Sequence, residues 1–130
     1  YLLKVVSAEP LAVGWLETRT QREMQYYQKL VAITHEIIAE AFSAKVVTPG
    51  VTTTDDLVWW FRQRITSMGL STWFHPSVEI QRRVSNDKDN IIRPGDFLHC
   101  DFGISYLTLN TDCQELAYDL KPEETEAPNF

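Results

Sequence analysis

Apolar residues recur at steps of three and four along a first stretch of the chain, from Met24 to Phe42. This period is that of an amphipathic α-helix with one buried stripe. Thr20 and Glu23 precede the stretch at the spacing of a capping box, in which each side chain bonds the other residue's free backbone N–H. The pattern therefore predicts a helix that begins after Thr20, with His35 beside the stripe and partly solvated.

A second helical pattern runs from Leu57 to Met68 and is followed by Gly69, a residue typical of helix ends. Thr53 and Asp56 precede it at the spacing of a second capping pair. Asp55 and Asp56 could be interpreted as a metal site, but capping and the helix dipole explain two carboxylates at the start of a helix. We therefore interpret both as helix-start residues.

The rest of the chain divides into a strand, a loop and two ends. Ser71 to Ile80 carries apolar residues around Pro76, which predicts an edge strand or a strand that starts at the proline. Arg82 to Asn90 is polar and predicts a loop. We expect residues 1–18 to be an extended lead-in from a missing N-terminal segment, residues 19–120 to form the domain, and residues 121–130 to be a tail or a truncated connection.

Pro94-Gly95 marks a turn, and an alternation with a period of two starts directly after it. Because side chains alternate between the two faces of a strand, the run from Phe97 predicts a strand with one polar and one apolar face. The run from Leu109 to Glu115 alternates in the same way. The polar face of the first run would carry His99, Asp101 and Gly103, and that of the second run Asn110, Asp112 and Gln114.

The two runs can form an antiparallel hairpin in which Asp101 lies directly opposite Asp112. Opposed like charges destabilise a sheet, whereas divalent cations between the carboxylates would remove the repulsion. The alternatives are a different register, or one aspartate that points to water. The register requires a tight turn at Tyr106-Leu107, which lacks Gly or Asn. Its other opposed pairs would be His99 with Gln114, Gly103 with Asn110, and Cys100 with Cys113.

These segments resemble the first metal-ligand segment of the methionine aminopeptidase, Xaa-Pro aminopeptidase and creatinase family, whose fold is called pita-bread. The likeness is carried by Pro94-Gly95-Asp96, by Asp101-Phe102-Gly103 and by Thr111-Asp112, and it covers most of the chain. The sequence departs from the family at Thr108-Leu109, where the family has Gly-Tyr. It also departs at Gln114-Glu115, where the family has Thr-Arg.

The resemblance implies the first half of a pita-bread catalytic domain, an α+β arrangement of two long helices packed on an antiparallel sheet. Members of the family hold two divalent metal ions with two aspartates, one histidine and two glutamates. The resemblance therefore assigns Asp101 and Asp112 as metal ligands for Mn²⁺, Co²⁺, Zn²⁺ or Fe²⁺, with the other three ligands beyond the end of this chain. In the predicted register His99 and Gln114 lie opposite each other on the same face, where we expect them to support these ligands.

The implied reaction is hydrolysis of the N-terminal residue from a peptide substrate, most readily of Xaa-Pro type, by a metal-activated water. We expect the chain alone to be inactive and its metal site to be empty or weakly occupied, because two carboxylates are too few ligands. The family's substrate-binding histidine falls near Arg83 to Ser85, where this sequence has no histidine. His75 and His99 remain as candidate catalytic residues.

Two other functions remain open. A non-catalytic binding module with the same fold would be compatible with the altered residues at Thr108, Gln114 and Glu115. A metal-independent, creatinase-like amidinohydrolase is the second alternative. The presence of both aspartates at the metal-ligand spacing favours the peptidase.

Composition narrows the class of protein. With 130 residues, 44% of them hydrophobic, the chain can form one domain with a core. A net charge of −6 argues against a nucleic-acid surface, and no apolar run approaches the ~18–20 residues of a membrane span. Two cysteines are too few for a disulfide framework, so we expect a reduced, cytoplasmic protein. We also expect a homodimer, because half of a two-fold domain exposes sheet edge and apolar surface.

Overall fold

The computed structural model describes residues 4–82 and 89–128. These residues form an α+β domain in which helices pack on an antiparallel sheet, as the sequence predicts. The helices are α1 (Glu9–Glu17), α2 (Gln21–Ala41) and α3 (Thr54–Ser67). The strands are β1 (Ser77–Gln81), β2 (Phe97–Phe102), β3 (Ser105–Tyr106), β4 (Leu109–Asn110) and β5 (Cys113–Tyr118).

Both predicted helix starts are confirmed. The Thr20 hydroxyl accepts a hydrogen bond from the Glu23 backbone N–H, and the Glu23 carboxylate accepts one from the Thr20 N–H. Thr53 and Asp56 form the same reciprocal pair at the start of α3. Each pair satisfies backbone donors that have no partner within the helix, so both helices begin where the local sequence specifies.

The N-terminal end departs from the expectation. Residues Glu9–Glu17 form the helix α1 rather than an extended lead-in, with Pro10 in its first turn, a position where a missing N–H costs nothing. None of the residues of α1 is buried, and Leu11 and Trp15 are largely exposed. Burial in the domain core therefore does not account for α1.

The main sheet has the strand order β1-β2-β5, with β2 at its centre. Side chains at alternate positions of β2, among them Leu98 and Phe102, are buried beneath the helices. The rings of Phe61 on α3 and Phe102 stack with centroids 4.4 Å apart. The other face of the sheet, called the open face below, carries side chains that stay partly or fully exposed: His99, Asp101, Gln114 and Leu116.

The predicted strand from Ser71 to Ile80 is shorter than expected. It begins at Ser77, directly after the buried Pro76, and runs along one edge of the sheet. The proline lacks a backbone N–H, so it can precede a strand but cannot donate to its ladder. Of the predicted loop over Arg82 to Asn90, residues 83–88 lie outside the described residues.

The hairpin register differs from the prediction by two residues. Asp101 lies opposite Gln114, and Cys113 lies opposite Phe102, so neither Asp101 and Asp112 nor Cys100 and Cys113 are directly opposed. Because side chains alternate with a period of two, a shift of two residues leaves every side chain on its predicted face. The division into a polar and an apolar face is therefore retained although the predicted pairs are wrong.

The turn explains the shift. Ser105 pairs with Asn110 and Tyr106 with Leu109, which leaves Leu107 and Thr108 as a two-residue loop instead of Tyr106 and Leu107. Both loop residues have positive φ, 48° and 63°. Two positive φ values are typical of the tight turns that match the twist of a hairpin, and Asn-Gly is the usual sequence there. Here Leu and Thr adopt this conformation, so no local sequence signal predicts it.

Among the described residues, no helix has the length and apolar character that crossing a membrane requires.

Candidate metal centre

Asp101 and Asp112 lie close together on the open face, although they are not directly opposed. Asp101 faces Gln114, and Asp112 precedes Gln114 by two residues, so the two aspartates are diagonal neighbours. Diagonal neighbours in a sheet are within reach of each other's side chains. The two carboxyl groups are near enough to form a hydrogen bond when one of them is protonated. The pairing of the aspartates predicted from the sequence is thus reached through a different register.

The environment disfavours a charge on Asp101. Burial raises its pKa above the ordinary value, and the Asp112 carboxylate raises it further through repulsion and through a shared hydrogen bond. The nearby His99 acts in the opposite direction. In addition, Asp101 Oδ1 is buried and has no hydrogen-bond partner. A buried carboxylate oxygen without a partner is costly, and a cation would satisfy it.

Gly103 permits the close approach of the backbone that precedes Asp112. The register places Gly103 opposite Asp112, since its neighbours Phe102 and Ile104 pair with Cys113 and Thr111. A Cβ atom at Gly103 would lie 2.0 Å from the backbone oxygen of Thr111. No side chain fits there, which gives the glycine of the Asp-Phe-Gly segment a steric function.

The backbone before Asp112 is held by three side chains from other elements. The Tyr27 hydroxyl donates to the backbone oxygen of Asn110, 2.5 Å away. The hydroxyls of Thr34 and Thr111 are 2.8 Å apart in the core, and the Thr111 hydroxyl accepts from the Ile104 N–H. The indole N–H of Trp73 donates to the Thr111 backbone oxygen at 2.8 Å. Asp112 therefore follows two residues whose position is fixed by α2 and by the segment before β1.

The two supporting residues predicted from the sequence do meet. His99 Nε2 lies 3.3 Å from Gln114 Oε1 on the open face, and Gln114 is the residue opposite Asp101. The predicted opposition of His99 and Gln114 is wrong, because Leu116 is opposite His99. A diagonal contact replaces it. His99 is thus placed to make a hydrogen bond beside the carboxylates.

The other histidines lie elsewhere. The exposed His75 contacts α3, where its Nδ1 is 3.3 Å from an Arg62 guanidinium nitrogen. His35 on α2 forms an ion-pair contact of 3.0 Å with Glu115, at the outer strand of the sheet. The structure therefore brings His99, and neither His35 nor His75, into contact with the neighbours of Asp101.

The donor set fits a divalent cation in part. Two carboxylates, one with an unpartnered buried oxygen, are the oxygen ligands that hard and borderline divalent cations take. Within residues 4–82 and 89–128, no group of three or more His, Cys, Asp or Glu side chains is placed to hold a metal ion. The pair can thus contribute to a metal site but needs ligands from elsewhere.

Sequence reasoning missed the role of Asp96 in the Pro94-Gly95-Asp96 segment. Its carboxylate accepts two hydrogen bonds from the Arg82 guanidinium and one from the Arg93 backbone N–H. Asp96 is thereby excluded as a free ligand and fixes the turn that leads into β2. The sequence pattern also did not indicate a role for Trp73. Its hydrogen bond to Thr111 joins residues that are distant along the chain, so no local signal predicts it.

No protein-family model, curated protein or solved structure matches this chain.

Proposed function

We propose that this domain contributes Asp101 and Asp112 to the dinuclear metal site of an aminopeptidase of the pita-bread class, which releases the N-terminal residue of peptides. One observation carries the proposal: two carboxyl groups lie within hydrogen-bonding reach on one sheet face, and one of their oxygens is buried without a partner. An ordinary solvated surface pair would not leave such an oxygen. The segment resemblance adds that two aspartates at this spacing are metal ligands in that class.

Two divalent cations at such a site would supply Lewis-acid chemistry, lowering the pKa of a water and polarising the peptide carbonyl. The chain's own residues would hold them through the Asp101 and Asp112 carboxylates. Burial and the Asp112 carboxylate raise the pKa of Asp101, so cation binding should weaken as the pH falls and protons compete for this carboxylate. His99 and Gln114 contact each other on the same face and would support the carboxylates.

The same carboxylates favour the positively charged amino terminus of a peptide. The chain's net charge of −6 has the sign that suits a cationic group. Three further ligands, a histidine and two glutamates in the family, would come from protein outside this chain. The described residues alone would therefore bind metal weakly and be inactive, since transition-metal sites use at least three protein ligands.

The test is metal binding and peptide hydrolysis by the intact protein. Asp101→Asn and Asp112→Asn should each lower Mn²⁺ affinity at least about tenfold, because even the loss of a residue that only orients a ligand costs about 10–100-fold. They should also abolish chelator-sensitive release of the first residue from an Ala-Pro peptide. Asp55→Asn is the matched control, because Asp55 lies in the first turn of α3 and not at the carboxylate pair. Its exposed carboxylate accepts a hydrogen bond from the Asn90 side chain. Wild-type turnover in either ligand variant would exclude the assignment.

A non-catalytic binding module is the second candidate. The observation that favours it is the lack of a third metal ligand within the described residues. Glu115, at a position where the family has Arg, pairs with His35 on the helix side instead of supporting the carboxylates. An intact protein that binds peptides, but neither binds Mn²⁺ nor hydrolyses them, would select this candidate.

A further inference from the structure

A thiol, an imidazole and a carboxylate lie in a row where β5 packs against α2. Cys113 Sγ is 4.0 Å from His35 Nε2, and His35 Nδ1 is 3.0 Å from Glu115 Oε1. Cys113 and Glu115 are two residues apart on β5, so their side chains lie on the same side of the strand, the side that meets α2. The imidazole therefore bridges the thiol and the carboxylate through its two ring nitrogens.

The carboxylate determines which nitrogen of the imidazole carries the proton. An ionised carboxylate only accepts hydrogen bonds, so the neutral His35 ring carries its proton on Nδ1 and donates it to Glu115. Nε2 then presents a lone pair to the Cys113 thiol. A nucleophile, a base and a group that orients the base stand in this order in enzymes that use an activated thiol or hydroxyl.

The three side chains do not converge on one metal ion. His35 contacts Cys113 and Glu115 through opposite ring nitrogens, so no single position is shared by all three. In agreement, the part of the chain that the structure describes contains no group of three or more His, Cys, Asp or Glu side chains that could hold a metal ion. Proton transfer, and not metal binding, is therefore the chemistry that these side chains support.

Cys113 differs from Cys100 in its access to solvent. Cys113 is partly exposed, whereas Cys100 is fully buried. Burial raises the pKa of the Cys113 thiol, and the Glu115 and Asp112 carboxylates act in the same direction. The resting thiol therefore keeps its proton, and a reaction at sulfur needs the proton acceptor that His35 provides.

An apolar groove adjoins the three side chains. His35 and Glu115 line it, and its other walls come from α2, the residue that follows α2, and β5: Ile38, Ala39, Phe42, Leu116 and Ala117. Its volume of about 360 Å³ is within the range of small-molecule sites, roughly 300–1,000 Å³. A small apolar ligand in this groove would thus lie beside the imidazole.

We propose that Cys113 is a covalent modification site for apolar α,β-unsaturated aldehydes, with His35 as the general base and Glu115 as the residue that positions it. The groove would hold the apolar tail of the aldehyde. Addition to such a compound requires only that one base takes a proton and returns it, which is what the contacts of His35 provide. This site is separate from the carboxylate pair and does not depend on the proposed peptidase function.

The addition step balances without another reactant. The thiol proton moves to His35 Nε2 while the sulfur forms a bond to the β-carbon of the aldehyde. The electron pair of the carbon–carbon double bond shifts toward the carbonyl and gives an enolate. The α-carbon then takes the proton from the imidazolium, which restores the neutral ring. No group leaves, and no oxidant or reductant is consumed.

The first test measures the rate at which trans-2-nonenal adds to Cys113 in the intact protein, by mass spectrometry of its peptides. His35→Asn should lower this rate about tenfold or more, because a general base typically contributes roughly 10²–10⁴-fold. His75→Asn is the matched control and should react as the wild type does, since the exposed His75 contacts Arg62 instead. An unchanged rate in His35→Asn, or faster addition to Cys100 than to Cys113, would overturn the proposal.

Two further variants separate proton transfer from a structural role. In His35→Ala, added imidazole should restore much of the lost rate, and the absence of any rescue would exclude His35 as the base. The ¹⁵N chemical shifts of the His35 ring should place the proton on Nδ1 in the wild type and move toward the Nε2 form in Glu115→Ala, which should also react more slowly. A wild-type ring protonated on Nε2 would exclude Glu115 as the positioning residue.

The last comparison tests the class of ligand. The ratio of the trans-2-nonenal rate to the acrolein rate should be higher for Cys113 than for free glutathione, because only the longer aldehyde has a tail that can occupy the groove. Leu116→Ala removes an exposed apolar wall, so it should lower this ratio and leave the acrolein rate unchanged. A wild-type ratio equal to that of glutathione would refute the preference for apolar aldehydes.

Discussion

Arg82 and Asp96 form a bidentate ion pair that joins the end of β1 to the turn before β2. The guanidinium Nε and Nη2 atoms each lie 2.8 Å from a carboxylate oxygen. The side chains are only 13% and 8% exposed. Arg82 also reaches Asp89 and the backbone oxygen of Ile91. The Arg82 guanidinium thus connects the end of β1 with residues 89–91 and with the turn that leads into β2, the strand that carries Asp101.

Removing this pair should destabilise the fold strongly. Arg82→Ala leaves the Asp96 carboxylate buried without its partner, which costs about 3–5 kcal/mol in comparable buried pairs. The control is Arg64→Ala, which breaks an exposed contact with Glu40 and should cost about 0.2–1 kcal/mol. Urea unfolding followed by circular dichroism measures both. Equal losses in the two variants would show that the Arg82 pair is not buried.

Replacing the turn residues Leu107 and Thr108 should raise the stability of the protein. Both residues hold left-handed backbone, which costs an L-residue about 1–2 kcal/mol relative to glycine. Replacing them by Asn-Gly should therefore stabilise the protein by about 1–2 kcal/mol. Gly69→Ala tests the reverse change, because Gly69 has a φ of +69° and an added Cβ meets no other atom. Its loss of stability should therefore come from backbone strain alone. A lower melting temperature of the Asn-Gly variant would contradict the turn position.

The cysteines test the register. As diagonal neighbours, Cys100 and Cys113 have Cα atoms about 7–8 Å apart, beyond the usual disulfide range of roughly 4.4–6.8 Å. A mild oxidant should therefore leave both thiols free within the chain. In Cys113→Ser with Glu115→Cys, the new thiol lies opposite Cys100 and should form an intrachain disulfide. Mass spectrometry without reductant decides. An intrachain disulfide in the wild type would support direct opposition of Cys100 and Cys113 instead.

Asp101 should destabilise the metal-free protein at neutral pH. Its folded pKa is raised above 3.8, so the folded state binds its proton more tightly than the unfolded chain does. The stabilisation is full below the unfolded pKa and is lost as the pH rises through the folded pKa. Asp101→Asn cannot ionise, so its melting temperature should exceed the wild-type value increasingly across that range. Mn²⁺ should narrow the gap, because it binds the wild type more tightly and therefore stabilises it more than the variant. A constant difference at every pH would refute this origin.

The sequence predicted those features that depend on neighbours along the chain. Both helix starts depend on residues three apart, Thr20 with Glu23 and Thr53 with Asp56, and both are confirmed. The face of Asp101 follows from alternation alone, so it survived an error in the register. These features are local, and local patterns specify them.

The features that failed depend on distant groups or on unusual backbone. A turn of Leu107 and Thr108 carries none of the Asn or Gly signals from which a hairpin register is read. The Trp73 contact with Thr111 and the Arg82 contact with Asp96 join separate elements, and no spacing rule predicts them. The helix α1 was not predicted, because its residues are not buried and form no apolar stripe that faces a core.

The hydrogen bonds of Tyr27 and Thr34 to the residues before Asp112 have a consequence for how the protein tolerates variation. Through these bonds the position of Asp112 depends on the position of α2. A substitution in that helix can therefore alter the site although the substituted residue is not a ligand. In a deep mutational scan, Tyr27→Phe and Thr34→Val would retain abundance in the cell while losing function. The sensitive positions would then include residues of α2 that are not themselves ligands.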